Sequence, residues 1–280
     1  MILITGATGT IGRELVRHLA AEGVPVRALT RDPARLADRP GVQVVPGDFA
    51  DPGSLARAAD GVSAVFLLST GPGLPAHDEA MVRAAVGAGV RRLVKLSTMV
   101  TDEPALRLAA WHRPGEAAVR ESGLDWTVLR PSTFASNALQ WAGPIRAGRP
   151  VANLSGTGTQ GFVDPVDVAA VAAAALTGGG HGGRTYTLTG PDLLTVPDQA
   201  AVLAGVLGRP VRTEDVPPER AREYLLGGGT PPEWVDLILE GSGYVAAGGV
   251  AVLTDDVATV LGRPPRSFRE WAERHRSAFG

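Results

Sequence analysis

No cysteine occurs among the 280 residues of the chain. Disulfides, thiolate nucleophiles, cysteine-based zinc sites and iron–sulfur clusters are thereby excluded. Lysine is nearly as scarce, since Lys95 is the single lysine among 27 basic residues. Any mechanism that needs a lysine must use Lys95. An excess of one charge is also missing. The 27 basic and 29 acidic residues are interleaved and leave a net charge of −2. That balance gives no electrostatic footprint for nucleic acid or for an anionic membrane. Long apolar runs are absent too: the longest, residues 166–176, contains Asp167 and is too short to span a bilayer. Residues 1–5 read as a strand without the basic region of a signal peptide, so the cytoplasm is the expected location. The histidines lack metal-ligand spacing, and no metal is expected.

What is present is an alternation. Apolar strand signals at residues 2–5, 24–30, 42–45, 62–68, 93–96 and 126–129 are separated by amphipathic helical stretches. Strands of this kind joined by helices imply a parallel sheet covered on both faces, and the right-handed crossover rule makes it a doubly wound Rossmann α/β fold. The rhythm weakens after Pro131. Residues 134–145 read as one helix, and the chain beyond residue 191 is mostly helical. We expect a Rossmann domain over residues 1–190 and a small C-terminal substrate lobe over residues 191–280, to which residues 134–162 contribute.

The first strand runs directly into Gly6-Ala7-Thr8-Gly9-Thr10-Ile11-Gly12 and then a helix. One glycine permits the turn, another admits a pyrophosphate to the backbone, and the third lets the helix pack close to the sheet. The free N–H groups of Thr8, Gly9, Thr10, Ile11 and Gly12 then face the phosphates at the positive end of the helix. A dinucleotide is the expected cofactor. NAD-binding proteins place an acid roughly 20 residues past the loop, to accept from the ribose 2′-hydroxyl. Here the second strand ends Leu29-Thr30-Arg31, and Arg31 suits a 2′-phosphate. Asp32 is a counter-argument, although it also suits an Asp-Pro turn. NADPH is therefore favoured over NADH.

Several further stretches resemble the NmrA-like family of atypical short-chain dehydrogenase/reductases: residues 4–9, Thr30-Arg31-Asp32-Pro33, Gly47-Asp48-Phe49, His112…Glu116, residues 126–131, Asn137, Asp164…Asp167 and Gly262-Arg263-Pro264-Pro265. The family includes NAD(P)H-dependent quinone reductases and redox-sensing regulators. The resemblance implies that Asp48 and Phe49 flank the adenine, and that Leu67, Leu68 and Ser69 border the adenosine and pyrophosphate. It places Ser97 and Thr98 at the nicotinamide ribose, and Arg130, Pro131 and Ser132 beside the nicotinamide. It also brings His112 near the nicotinamide, with Asn137 in the substrate pocket. Trp141, next along the same stretch, is expected to line that pocket for an aromatic substrate.

Short-chain dehydrogenases use a Tyr-x-x-x-Lys pair for proton transfer. None of Tyr186, Tyr224 and Tyr244 has a lysine four positions later. Reduction of a quinone or other conjugated carbonyl needs orientation more than an acid, because solvent can protonate the product. His112 is the one candidate for a catalytic group. Pro114 is expected to open a helix, with Glu116 in its first turn and His112 in the loop before it. Two readings stand: an NADPH-dependent oxidoreductase acting on a small quinone-like or aromatic molecule, or a non-catalytic NADP(H) sensor acting through a protein partner. A sugar-nucleotide epimerase ranks behind both, since it normally needs the missing pair. Self-association into a homo-oligomer is left open.

Overall fold

The computed structural model describes residues 1–36 and 41–280. In the first half, strands and helices alternate as β1 (Ile2–Ile4), α1 (Thr10–Ala21), β2 (Val26–Thr30), β3 (Val42–Pro46), α2 (Pro52–Ala59), β4 (Ala64–Leu67), α3 (Leu74–Gly87), β5 (Arg92–Leu96), α4 (Arg107–Glu121) and β6 (Asp125–Pro131). Every residue of β1 and β4 is buried, the pattern of strands covered on both faces. The second half adds α5 (Ala142–Arg146), β7 (Val151–Asn153), β8 (Gln160–Gly161), α6 (Pro165–Thr177), β9 (Arg184–Leu188) and β10 (Leu193–Leu194). It ends with α7 (Val196–Leu207), β11 (Thr213–Asp215), α8 (Pro218–Gly227), α9 (Pro232–Ala246), α10 (Asp256–Leu261) and α11 (Phe268–Arg274).

Among the described residues the main sheet has seven strands in the order β3-β2-β1-β4-β5-β6-β9, all parallel. The chain runs outward from β1 to β3, then crosses back to β4 on the other side of β1. That reversal opens a crevice at the carboxyl ends of β1 and β4, where ligands of such sheets bind. On one face Ile11, Leu15 and Leu19 of α1 pack with Val168, Val171 and Ala175 of α6. On the other, Leu55 of α2, Met81 and Val82 of α3 and Val119 of α4 form a second core. A third core gathers Ile145, Leu203, Phe268, Trp271 and Phe279, residues drawn from α5, α7, α11 and the C-terminus.

Two local readings are corrected. Helix α4 starts at Arg107, and Pro114 lies inside it, so His112 is a helical residue and Glu116 sits in its third turn. The missing N–H costs about 3 kcal/mol in an isolated helix. Here Pro114 is exposed on the outer face, while Ala109, His112, Gly115, Glu116 and Val119 form a buried inner face that outweighs it. Residues 134–145 are two elements, a 3₁₀ segment Ala135–Trp141 and then α5. Pro144 explains the break: it cannot donate an interior helical bond, but it fits within the first turn of α5.

Candidate active site

The glycine loop is built around close backbone contact. Gly6 adopts φ +61°, which favours glycine, and a Cβ there would lie 2.1 Å from Leu68 Cδ2. A Cβ on Gly12 would lie 2.2 Å from the Gly6 carbonyl oxygen and 2.8 Å from Ala7 Cα. The first i→i−4 bond of α1 is Arg13 N to Gly9 O at 3.0 Å, so the amides of Thr10, Ile11 and Gly12 precede the helical ladder and are left for an anion. Thr5 ties this loop to the switch point: its hydroxyl accepts from Leu68 N (2.7 Å) and donates to Leu68 O (2.9 Å). A cradle that side chains would fill, lined by free amides, fits a dinucleotide pyrophosphate.

At the end of β2, Arg31 is exposed and makes no ion pair or hydrogen bond among the described residues. Asp32 is exposed, and its Oδ1 accepts from Ala34 N (3.1 Å) in the turn after β2, as its place before Pro33 suggests. The helix α2 is capped by Asp51, which accepts from Gly53 N (2.9 Å). Asp48 instead closes a tight turn on Ala50 N (2.9 Å), and its carboxylate is exposed. Phe49 is half-buried and stacks on His77 with centroids 5.1 Å apart. Leu67 is wholly buried in the α2–α3 core, Leu68 covers Gly6, and the Ser69 hydroxyl donates to Asp78 at 2.7 Å.

A cleft of about 430 Å³ lies at the carboxyl ends of β5 and β6. Its wall carries Ser97, Thr98, His112, Pro131, Ser132 and Asn137, and α9 roofs it with Leu237, Ile238, Tyr244 and Val245. Trp141 lines an adjoining groove of about 610 Å³ that shares Thr133, Asn137, Gln160 and Ile238 with the cleft. Arg130 is absent from the cleft wall. Its guanidinium bonds Glu116 (3.0 and 2.8 Å) and Asp102 (2.6 and 3.1 Å), a fixed fork that holds β6 to α4. Burial pushes the Glu116 carboxyl up, but bonds from Arg130 and Ser97 outweigh it and keep the group below its usual value.

His112 is held at the cleft wall by α4. Burial, reinforced by the Lys95 cation, lowers its pKa from 6.5 to about 3, so the imidazole is neutral at physiological pH. Between those two values the unfolded chain carries a proton here that the folded chain does not, and stability must fall as pH drops through that window. At pH 5 the loss amounts to about 2 kcal/mol. Urea titrations at pH 7.5 and pH 5 should show it as an excess loss in the wild type relative to His112→Gln; equal losses in both would refute it.

Sequence reasoning missed what surrounds His112. Lys95 and Asp78 form a fully buried ion pair across β5 and α3, with Ser69 on the second carboxylate oxygen. Gly115 of α4 makes room for it, since a Cβ there would lie 2.1 Å from Asp78 Oδ2. A lysine inside the strand pattern Leu93-Val94-Lys95-Leu96 was the available signal. The roof was missed as well: α9 is clamped to α4 by Arg107 with Asp236 (2.9 Å) and Glu240 (2.8 Å), and by Trp111 edge-on to Trp234 (5.9 Å).

Among the described residues no group of three or more acidic or histidine side chains is placed to hold a metal, and no helix is long and apolar enough to cross a membrane. The profile of the NAD(P)H-binding family matches residues 6–178. Over its whole length the chain is 46% identical to a (4-alkanoyl-5-oxo-2,5-dihydrofuran-3-yl)methyl phosphate reductase of Streptomyces griseus, across 99% of that protein. It is 37% identical to an NAD(P)H azoreductase of Xenophilus azovorans, across all of this chain and 99% of the relative. The crystal structure of an NADPH-dependent quinone oxidoreductase from Escherichia coli, complexed with NADPH, matches with a TM-score of 0.89 at 27% identity, covering 98% of this chain and 99% of the other.

Proposed function

The chain belongs to the NAD(P)H-binding family, in the NmrA-like group of atypical short-chain dehydrogenase/reductases, and from that premise we propose that this oxidoreductase reduces a quinone-like or other conjugated carbonyl compound with NADPH. One observation carries the reading. A largely apolar cleft lies at the carboxyl ends of β5 and β6, on the sheet edge where β1 also ends in the glycine loop, and the chain contains no Tyr-x-x-x-Lys pair. Such a site orients an acceptor and excludes water without supplying a strong acid. The relatives act on a conjugated furanone, an azo compound and a quinone by name, which share an electron-poor conjugated system. The sensor reading finds no such support.

NADPH bound on the loop supplies a hydride at its nicotinamide C4. The amides of Thr10, Ile11 and Gly12 would hold the pyrophosphate, whereas the Gly9 amide is donated to Gly6 O (2.9 Å) and Leu67 belongs to the core. Phe49 with Asp48 and Leu68 with Ser69 would border the adenosine side, and Ser97, Thr98, Pro131 and Ser132 the nicotinamide. Residues 1–190 act as the nucleotide-binding unit, and residues 191–280 with 134–162 as the substrate lobe. We place the protein in the cytoplasm, a compartment suited to a chain that needs no disulfide.

The test is NADPH oxidation followed with a benzoquinone, a naphthoquinone, an azo dye and a conjugated lactone, alongside simple ketones. Turnover confined to the conjugated acceptors supports the proposal; tight NADPH binding with none of them reduced refutes it. Arg31 sets cofactor choice. An exposed charge-assisted bond contributes about 1–2 kcal/mol, so Arg31→Ala should weaken NADPH roughly 5- to 30-fold at 1.4 kcal/mol per tenfold. NADH binding should hold within about twofold in the same calorimetric titration. Equal losses for both cofactors would exclude Arg31 from the 2′-phosphate.

A further inference from the structure

Besides the amide of Asn137, which is exposed, the cleft wall formed by α4 and the ends of β5 and β6 presents five side chains able to donate a hydrogen bond: Ser97, Thr98, His112, Ser132 and Thr133. Three of them have committed their protons. Ser97 Oγ donates to Glu116 Oε1 at 2.5 Å, Ser132 Oγ to the Gly161 carbonyl, and Thr133 Oγ1 to Gln160 Oε1. Thr98 is half-buried, with a hydroxyl that rotates. His112 differs: it is only 9% exposed, and the helix fixes its ring. Its Nδ1 is buried with no hydrogen-bond partner, whereas Nε2, also without a protein partner among the described residues, keeps access to the cleft.

The charged groups near the ring act in opposite senses: the Lys95 cation favours the neutral imidazole, and the Glu116 carboxylate opposes it. From β5 and α3 comes the Lys95–Asp78 pair, both side chains fully buried. Glu116, one turn along α4, has its carboxylate tied to Arg130 of β6 and to Arg120. Glu240 of α9, across the cleft, is paired with Arg107. Buried N–H groups without a partner are rarer than buried lone pairs without one, so the orphaned Nδ1 carries the lone pair and Nε2 the proton, and the Lys95 cation adds to this by disfavouring protonation of the ring.

We propose that His112 is a neutral hydrogen-bond donor, with Nε2–H directed at the carbonyl oxygen of the acceptor, and that Lys95 is a positioning residue that holds the lone pair on Nδ1. The inference rests on the conjugated-carbonyl reading above. When hydride reaches the acceptor carbon, the π pair moves onto its carbonyl oxygen. That oxygen becomes an enolate, and a proton from water completes the two-electron reduction; a quinone reduced this way reaches its hydroquinone when the new sp³ carbon loses a proton to solvent and the second oxygen gains one. The Nε2–H bond strengthens as this charge develops, which is how a preorganised donor lowers a barrier. The ring keeps its proton throughout.

Labelling histidine with ¹⁵N tests this without substrate. The chain has five histidines, so the His112 signals are identified by their loss in His112→Gln. Nδ1 should be the pyridine-like nitrogen and Nε2 the protonated one, unchanged from pH 8 down to pH 5. The charge-free pair Lys95→Met/Asp78→Leu should mix the two tautomers. In kinetics, His112→Gln carries an amide donor near the Nε2 position and should retain kcat within about tenfold, whereas His112→Phe should lose on the order of 100-fold. NADPH affinity should be unchanged in both, and kcat should be flat with pH between 5 and 8 in the wild type. An imidazolium at pH 7, an Nδ1–H tautomer, or equal activity of the Gln and Phe variants would overturn the proposal. Because the tautomer is read in the resting protein, its failure is distinct from failure of the acceptor panel.

Discussion

Replacing Gly12 by alanine should cost the protein most of its affinity for NADPH. A Cβ at this position meets only backbone: Gly6 O at 2.2 Å, Gly6 C at 2.7 Å and Ala7 Cα at 2.8 Å. No side-chain rotation relieves those contacts, so α1 must shift away from the loop or the loop must open. Overpacking of this sort costs roughly 1–3 kcal/mol, and the upper end corresponds to about 150-fold in affinity. The loss lands on binding because the displaced atoms are the amides that face the phosphates. Gly9 supplies the internal comparison. A Cβ there would lie 3.3 Å from Gly6 O, a contact that a few tenths of an ångström resolves, and Gly9→Ala should lose far less. Calorimetry on both variants, with thermal melts to confirm folding, decides the matter. Wild-type affinity in Gly12→Ala would remove the glycine loop from cofactor binding.

That loop was legible because its requirements are local: a strand, a turn and a helix within a dozen residues carry all of them. The parallel order of the sheet was legible for the same reason, since strands such as β1 and β4 show no polar alternation. Helix α4 was not. Pro114 scores locally as a helix start, and what overrides it is the burial of Ala109, His112, Glu116 and Val119 against elements far off in sequence. Arg130 was placed beside the nicotinamide by likeness alone, whereas its partners Glu116 and Asp102 come from α4 and the loop before it. Trp141 lines a groove continuous with the cleft through Asn137 and Gln160, a placement set by the 3₁₀ segment that the sequence pattern did not show. Hydrophobic pattern marks the face of an element; it does not mark which neighbour completes a polar pair across 17 residues, as Asp78 does for Lys95.

Lys95→Met should destabilise the fold more than any other single change to a polar side chain described here. The substitution fits the volume of the strand position but leaves the Asp78 carboxylate, itself fully buried, with Ser69 as its one remaining side-chain donor. Breaking a buried pair from one side typically costs about 3–5 kcal/mol, a large part of the ~5–15 kcal/mol that holds a domain together. Urea unfolding should register it as a shifted midpoint with an unchanged slope. Removing both charges is a different experiment. Lys95→Met/Asp78→Leu exchanges the pair for apolar contact, and such exchanges are neutral or stabilising by ~1–4 kcal/mol. The double variant should therefore regain wild-type stability or exceed it. If it does, folding is not what requires a charged pair at the base of α4, and the role left for the ammonium is the electrostatic one, keeping the buried nitrogen of His112 free of a proton. A double variant that stays as unstable as Lys95→Met would make the pair a structural necessity instead.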